Sequence, residues 1–221
     1  MRDDRLDIFH RWQLTPQELS DIVAANPSLR GMMFGYVSEY KLRTLWFSDP
    51  RFQDVRKEDD HDRKQKGDLW FTYKGVRISL EVKSLQTNTV KASEELYEGT
   101  FQCDASDRRE VLLPTGTRLQ TTCLLVGEFD LLAVNIFEFG QQWRFAFAKN
   151  LSLTRSKYSK YKPEDREHLL SSSMKISWPL QPPYEAEPWR LLDEIVREKR
   201  AGVPDKLLAG VQVEEIEPAG E

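Results

Sequence analysis

The segment 67–84, GDLWFTYKGVRISLEVKS, constrains the fold more than any other part of the chain. Lys74 and Gly75 lie at its centre and suit a two-residue hairpin loop. With that loop the side-chain period of two places one set of residues on a single apolar face. This set comprises Leu69, Phe71, Tyr73, Val76, Ile78 and Leu80. Because one face is wholly apolar, the sequence predicts a hairpin with a well-specified register.

The polar face of the same hairpin brings two carboxylates together. The predicted register places Asp68 directly opposite Glu81, and Lys83 projects from the same face two residues further on. Like charges that face each other across paired strands destabilise a sheet. A divalent cation between the two carboxylates would remove this repulsion. The register therefore favours a metal site here, and a solvated strand face remains the alternative interpretation of Glu81 and Lys83.

Length and composition set broader bounds. The chain has 221 residues, of which 39% are hydrophobic, enough for one domain with a decorated core. Its net charge of −4 supplies no global basic field, which weakens a nucleic-acid interpretation without excluding it. Cys103 and Cys123 give no disulfide framework. The charged start and the absence of a long apolar run predict a soluble, cytoplasmic protein.

Two helices are predicted before the hairpin. Residues 15–18, TPQE, form a capping box that begins a helix ending near Ala25. A second helix is predicted from about Leu29 to Trp46. The charged residues 48–67 are predicted to form a loop that is too polar to pack.

Glu39 lies on the second predicted helix, on a stripe that it shares with Gly31 and Gly35. A carboxylate on a packed stripe needs a partner. A salt bridge, a partly exposed position and a role as a metal ligand, either direct or through water, all remain open for it.

The second half of the chain alternates predicted strands and helices. Residues 129–137 are apolar on both faces, as in a central strand covered on both sides. The further predicted elements are a short helix at 91–98, a hairpin around residues 114–116, a strand at 143–148, a helix opening at Pro163, a proline-rich linker at 179–188 and an amphipathic helix at 189–200. We expect residues 1–150 to form the core with the N-terminal helices, and residues 151–221 to form a C-terminal helical extension packed on it.

Together these residues resemble a known family. A helix glutamate, an aspartate that ends one strand and a Glu-x-Lys on the next are similar to the PD-(D/E)xK nuclease superfamily, the fold of many type II restriction endonucleases. The matching segments are GYVSEYKL, KGDLWF and LEVKS, and Gly67 replaces the proline of the motif. The resemblance covers roughly residues 30 to 150. It implies an α/β protein with a restriction-endonuclease-like core, in which a central mixed β-sheet is flanked by helices on both faces.

The resemblance also implies an activity and a set of ligands. The expected function is a Mg²⁺-dependent DNA endonuclease of a restriction or genome-defence system, acting as a homodimer, with Mn²⁺ as a substitute metal. Asp68, Glu81, the carbonyl of Val82 and Glu39 would hold the metal, and Lys83 would assist the attacking water or stabilise the transition state. A repair or recombination nuclease on structured DNA and a non-cleaving nucleic-acid-binding module are the alternatives.

Two charged segments are candidates for nucleic-acid binding. Arg108 and Arg109 lie in FQCDASDRRE, a predicted charged loop that could clamp a phosphate or read a guanine, or could be a solvated turn. Lys157, Lys160 and Lys162 alternate with tyrosines and could follow a nucleic-acid backbone, or could belong to a plain exposed loop.

Overall fold

The chain divides into an N-terminal unit, residues Met1–Lys41, and a larger unit, residues Leu42–Glu221. The computed structural model describes residues 7–57, 67–94 and 96–202. Within these ranges no helix combines the length and apolar character needed to cross a membrane. The described residues from 42 to 202 belong to the larger unit, so the part of the predicted core that precedes residue 42 belongs to the N-terminal unit.

The N-terminal unit is helical. Its elements are α1 (Ile8–Trp12), α2 (Pro16–Ala25) and α3 (Pro27–Leu45), whose last residues extend into the larger unit. The predicted capping box begins α2: the Thr15 hydroxyl accepts a hydrogen bond from the Glu18 N–H at 3.2 Å, and the Thr15 N–H donates to the Glu18 carboxylate at 2.8 Å. Helix α1 is an addition to the predicted elements, and the Asp7 carboxylate caps it by accepting the Phe9 N–H.

In its described residues the larger unit contains ten strands and two further α-helices. In chain order these are β1 (Phe52–Lys57), β2 (Leu69–Tyr73), β3 (Val76–Ser84), β4 (Lys91–Ser93), β5 (Leu96–Gln102), β6 (Asp104–Leu112), β7 (Arg118–Cys123), β8 (Leu131–Asn135), β9 (Phe145–Lys149), α4 (Pro163–Arg166), β10 (Ser173–Trp178) and α5 (Trp189–Arg200).

The central sheet has the strand order β1-β2-β3-β8-β9. Strands β3 and β8 run parallel, and the other neighbours are antiparallel, so the sheet is mixed as predicted. Every residue of β8 is buried, which confirms the predicted central strand. The crossover between β3 and β8 carries strands β4–β7, and in its described residues it contains no α-helix, the usual crossover element between parallel strands.

The β2–β3 hairpin has the predicted turn and register. Lys74 and Gly75 have φ angles of 48° and 74°, which suit a two-residue loop of this kind. The pairing runs from Tyr73–Val76 at the turn to Leu69–Leu80 at the far end. There the ladder stops one residue short of the predicted Asp68–Glu81 pair.

The two faces of the central sheet pack into separate cores. The apolar face of the hairpin joins α5 and the end of α3, through buried residues that include Leu42, Phe71, Leu80 and Leu192. The opposite face packs on strands β5 and β10 and on connecting segments. Helices therefore flank the first face, whereas the predicted helical layer on the second face is replaced by strands.

Two predicted elements are wrong, and a third is shorter than predicted. The predicted loop at 48–67 contains strand β1, which buries Phe52 and exposes most of its polar side chains, as an edge strand does. The predicted helix at 91–98 is replaced by β4 and the start of β5. The helix that opens at Pro163 ends after one turn, because the following chain bridges to Leu125 and Arg155. Residues 58–66 of the predicted loop and the acidic C-terminus lie outside the described residues.

The predicted hairpin around residues 114–116 is confirmed as β6 and β7, and the amphipathic helix at 189–200 is confirmed as α5. The predicted C-terminal extension also contains strand β10, which pairs with β5.

Candidate functional site

Alternation along β3 separates its apolar side chains from its charged ones. Ile78 and Leu80 enter the core against α5, whereas Glu81 and Lys83 project from the opposite face. On that face their neighbours in the parallel strand β8 are Leu132 and Val134. The two charged residues therefore lie on a face that is otherwise apolar and covered.

Glu81 and Lys83 pair with each other in this buried position. The Lys83 Nζ atom lies 2.7 Å from Oε1 of Glu81, and the side chains are only 20% and 10% exposed. The same ammonium group donates a hydrogen bond to the carbonyl oxygen of Asp104 at 3.0 Å. These two acceptors fix the Lys83 side chain.

Asp68, the third residue of the predicted set, forms hydrogen bonds to the same stretch of β3. The Asp68 N–H donates to the Leu80 carbonyl at 2.8 Å, and its carboxylate accepts the Val82 N–H at 2.7 Å. Strand β2 begins only at Leu69, so the Asp68 side chain takes the place of a backbone acceptor for Val82. The predicted cross-strand pair is thus replaced by a side-chain bond to the residue between Glu81 and Lys83.

The electrostatics of the three residues are coupled. Burial raises the pKa of Glu81 to about 7, the Lys83 charge opposes this shift, and the Asp68 charge adds to it. Burial alone would lower the pKa of Lys83, but the Glu81 carboxylate outweighs it and the pKa rises. Asp68, Glu81 and Lys83 therefore form one electrostatic site, as the sequence predicts.

The donor set of this site fits a hard cation. Its protein groups are two carboxylates, Asp68 and Glu81, and the backbone of Val82, and Mg²⁺ prefers oxygen ligands while keeping several waters. In the described parts of the chain no group of three His, Cys, Asp or Glu side chains is arranged to hold a metal. A bound Mg²⁺ would therefore rely on the two carboxylates, backbone oxygen and water.

Glu39 lies on α3 within the N-terminal unit. Its participation in the site stays a prediction.

The segment that carries Arg108 and Arg109 is a strand rather than the predicted loop, since it forms the end of β5 and most of β6. The Arg109 guanidinium binds the buried Glu128 carboxylate through two nitrogens, and Glu128 also accepts the Leu125 N–H at 2.7 Å. Arg108 is exposed. The two adjacent arginines thus have different surroundings.

Two further groups at the site have no signal in the sequence. The Asp104 carbonyl that binds Lys83 is a backbone group, which residue type does not reveal. Glu128, whose charge raises the pKa of Glu81, lies far from it along the chain. Only the three-dimensional pairing brings these groups to β3.

A separate cavity of about 350 Å³ lies at β4, β5 and β10, where Lys91, Glu98 and Lys175 contribute to its lining. None of Asp68, Glu81 and Lys83 lines it. We assign the candidate site to β3 because the coupled ionisable groups lie there.

No protein-family model, curated protein or solved structure matches the chain. The function is therefore inferred from the residues of the site and their geometry.

We expect Glu81→Gln to change how stability depends on pH. A carboxylate whose pKa is raised in the folded protein contributes stability that is present below pH 4.5 and is lost as pH rises through about 7. The variant lacks this loss, so its unfolding free energy relative to wild type should increase between pH 5 and 7.5, by at most about 3 kcal/mol. Urea denaturation in EDTA measures this difference, and Glu98→Gln, at an exposed position, is the control. A difference that stays constant with pH would contradict the raised pKa.

Arg109→Met and Arg108→Met should differ in stability although the residues are adjacent. Arg109→Met leaves the Glu128 carboxylate buried without its cation, which costs about 3–5 kcal/mol. Arg108→Met changes an exposed side chain and should stay within about 0.5 kcal/mol of wild type. Denaturant midpoints of the two variants provide the comparison, and equal midpoints would show that the Arg109–Glu128 pair contributes little.

Proposed function

We propose that this chain is a Mg²⁺-dependent endonuclease that hydrolyses DNA phosphodiester bonds, in a restriction or genome-defence system. The observation that carries the proposal is the convergence of Asp68, Glu81 and Lys83 on one stretch of β3, from Glu81 to Lys83, that is largely removed from solvent. A buried ion pair is weak evidence for stability, since well-packed apolar residues often serve as well. A chemical role accounts better for charged groups in this position.

Phosphodiester hydrolysis requires an activated water, neutralised charge on the phosphate and a stabilised leaving oxygen, which Mg²⁺ supplies when bound. Asp68 and Glu81 would hold the ion with the Val82 carbonyl. The Asp68 carboxylate is already oriented by its bond to the Val82 N–H.

Lys83 is suited to act on the reacting phosphate. An ammonium group has three N–H donors, and Glu81 and the Asp104 carbonyl accept two of them. The third donor can bind the attacking water or a phosphate oxygen. Because the first two bonds fix the side chain, its charge is preorganised for the negative charge that develops in the transition state.

The proposed contacts to DNA are Arg108, Lys157, Lys160 and Lys162, which are exposed. Arg109 was also predicted to contact nucleic acid, and such a contact would have to replace its bond to Glu128. A homodimer, also proposed, would bring two sites to two strands.

A repair or recombination nuclease on structured DNA is the second candidate function. The exposed ring of Tyr158 beside the lysines favours it, because unpaired bases stack on aromatic side chains.

Cleavage assays test the catalytic assignment. Lys83→Met should reduce the cleavage rate by roughly 10²- to 10³-fold, the usual loss when a preorganised transition-state donor is removed. Its DNA affinity should change little, since the interaction is made chiefly in the transition state. Plasmid and single-stranded DNA are incubated with each variant in Mg²⁺ and in EDTA.

The matched control is Lys175→Met, which removes an exposed lysine of β10. Discrete plasmid fragments indicate restriction, and smears indicate structure-directed or nonspecific cleavage. If the wild-type protein binds DNA but does not cut it in Mg²⁺ or Mn²⁺, the nuclease proposal is refuted, and the alternative of a non-cleaving nucleic-acid-binding module remains. Cleavage by Lys83→Met at the wild-type rate would refute the role of Lys83.

Metal binding is a separate prediction. Mn²⁺, titrated calorimetrically, should bind the wild type, and Asp68→Asn should lower its affinity by roughly 10- to 100-fold, as when groups supporting a metal are removed. Asp21→Asn, on the exposed surface of α2, is the control. Equal affinities in Asp68→Asn and wild type would place the metal elsewhere.

A further inference from the structure

Residues 155–162, RSKYSKYK, are called the basic segment. They carry four cationic side chains and no carboxylate, in a chain whose net charge is −4. Such a concentration of one sign of charge attracts anions locally even when the whole chain is acidic.

Two arginines hold the basic segment in place rather than facing a ligand. Arg155 donates to the carbonyl oxygens of Leu153 and Leu151, at 2.6 Å and 3.0 Å. Arg166, which follows the segment, donates to the Tyr161 carbonyl at 2.8 Å. The conformation of the segment is therefore fixed before any ligand binds.

The lysines and one tyrosine of the segment face outwards. Lys157, Lys160 and Lys162 are exposed, and among the described residues no carboxylate forms an ion pair with any of them. Tyr158 is 49% exposed and packs edge-to-face on Tyr161. The Lys160 ammonium lies 5.9 Å from the centroid of the Tyr158 ring. An aromatic platform thus lies among three cations.

The segment is connected to the candidate site through β6 and β7. The Tyr161 hydroxyl lies 2.8 Å from the Thr121 hydroxyl of β7, and Cys123 at the end of β7 pairs with Asp104. Asp104 in turn accepts the hydrogen bond of Lys83. Strand spacing and rise along this path limit the distance between the platform and the Lys83 ammonium to the order of 20 Å.

We propose that the basic segment binds an unpaired nucleic-acid strand, with a base stacked on Tyr158 and phosphates on Lys157, Lys160 and Lys162. Stacking on a side chain requires a base that is not stacked in a duplex. Arg155 and Arg166, the arginines of this region, are bound to backbone carbonyls and do not present their guanidinium groups to base edges. This inference rests on the proposed nuclease activity and favours its second form, the repair or recombination nuclease, because it specifies the substrate as single-stranded DNA or the single-stranded arm of a structured DNA.

Fluorescence anisotropy with labelled oligonucleotides tests the proposal on the full chain in EDTA. The probes are an oligo-dT and a duplex of the same length, and Lys83→Met serves as the parent to prevent cleavage. The parent should bind the oligo-dT more tightly than the duplex. Tyr158→Ala should weaken oligo-dT binding by roughly 5- to 150-fold, and Tyr158→Phe should retain it, since the stacking ring remains.

The lysines are tested through salt dependence. Lys160→Met should reduce the slope of log affinity against log salt by about 0.7, the contribution of one phosphate contact on a single strand. Lys175→Met should leave both slope and affinity unchanged. Circular dichroism confirms that each variant is folded.

Equal oligo-dT affinity of Tyr158→Ala and its parent would overturn the proposal, and so would duplex binding as tight as oligo-dT binding. The cleavage assay separates the two proposals. Tyr158-dependent oligo-dT binding by a wild-type protein that cuts no DNA would refute the nuclease and leave the inference standing. If the wild type cleaves DNA but Tyr158→Ala binds oligo-dT as tightly as its parent, the inference is refuted and the nuclease proposal stands.

Discussion

The ion pair between Glu81 and Lys83 is the interaction on which the candidate site depends. Glu81 is buried on β3, so its charge must be compensated within the protein. Lys83 compensates Glu81, the Asp104 carbonyl takes a further Lys83 donor, and the Asp68 carboxylate satisfies the Val82 N–H. Removing any one of these groups leaves another buried without its partner, which explains why the three side chains behave electrostatically as one site.

The same principle applies further along the strand. The backbone N–H and the hydroxyl of Ser79 both donate to the Asp130 carboxylate, and Lys199 from α5 donates to the same oxygen. Through these hydrogen bonds Asp130, which directly precedes β8, links Ser79 of β3 to Lys199 near the end of α5. Strand β3 thus carries polar contacts at Ser79 and at Glu81–Lys83, between the apolar cores that pack on the two faces of the sheet.

The sequence predicted best the features that local periodicity and turn chemistry determine. The β2–β3 register followed from a two-residue turn and strict alternation, and the start of α2 followed from its capping box. Residues 48–67 and 91–98 were predicted as a loop and a helix, whereas they contain strands β1, β4 and the start of β5. The prediction failed because the few apolar residues of these strands lie among many charged ones. At the site, sequence placed Asp68 and Lys83 together but missed that β2 begins too late to pair Asp68 with Glu81. The pairing of Arg109 with Glu128 had no local signature, because it depends on how β6 and the segment before β8 are brought together.

The crossover between β3 and β8 has a consequence for how the site assembles. Parallel pairing of these strands requires residues 85–130 to be looped out and then docked, and such non-local contacts form slowly compared with local hairpins. The β2–β3 hairpin can form early from neighbouring residues and already carries all three charged side chains. The acceptor that fixes Lys83 belongs to Asp104, within the looped segment. A nascent chain would therefore possess the charges of the site well before it possesses their arrangement.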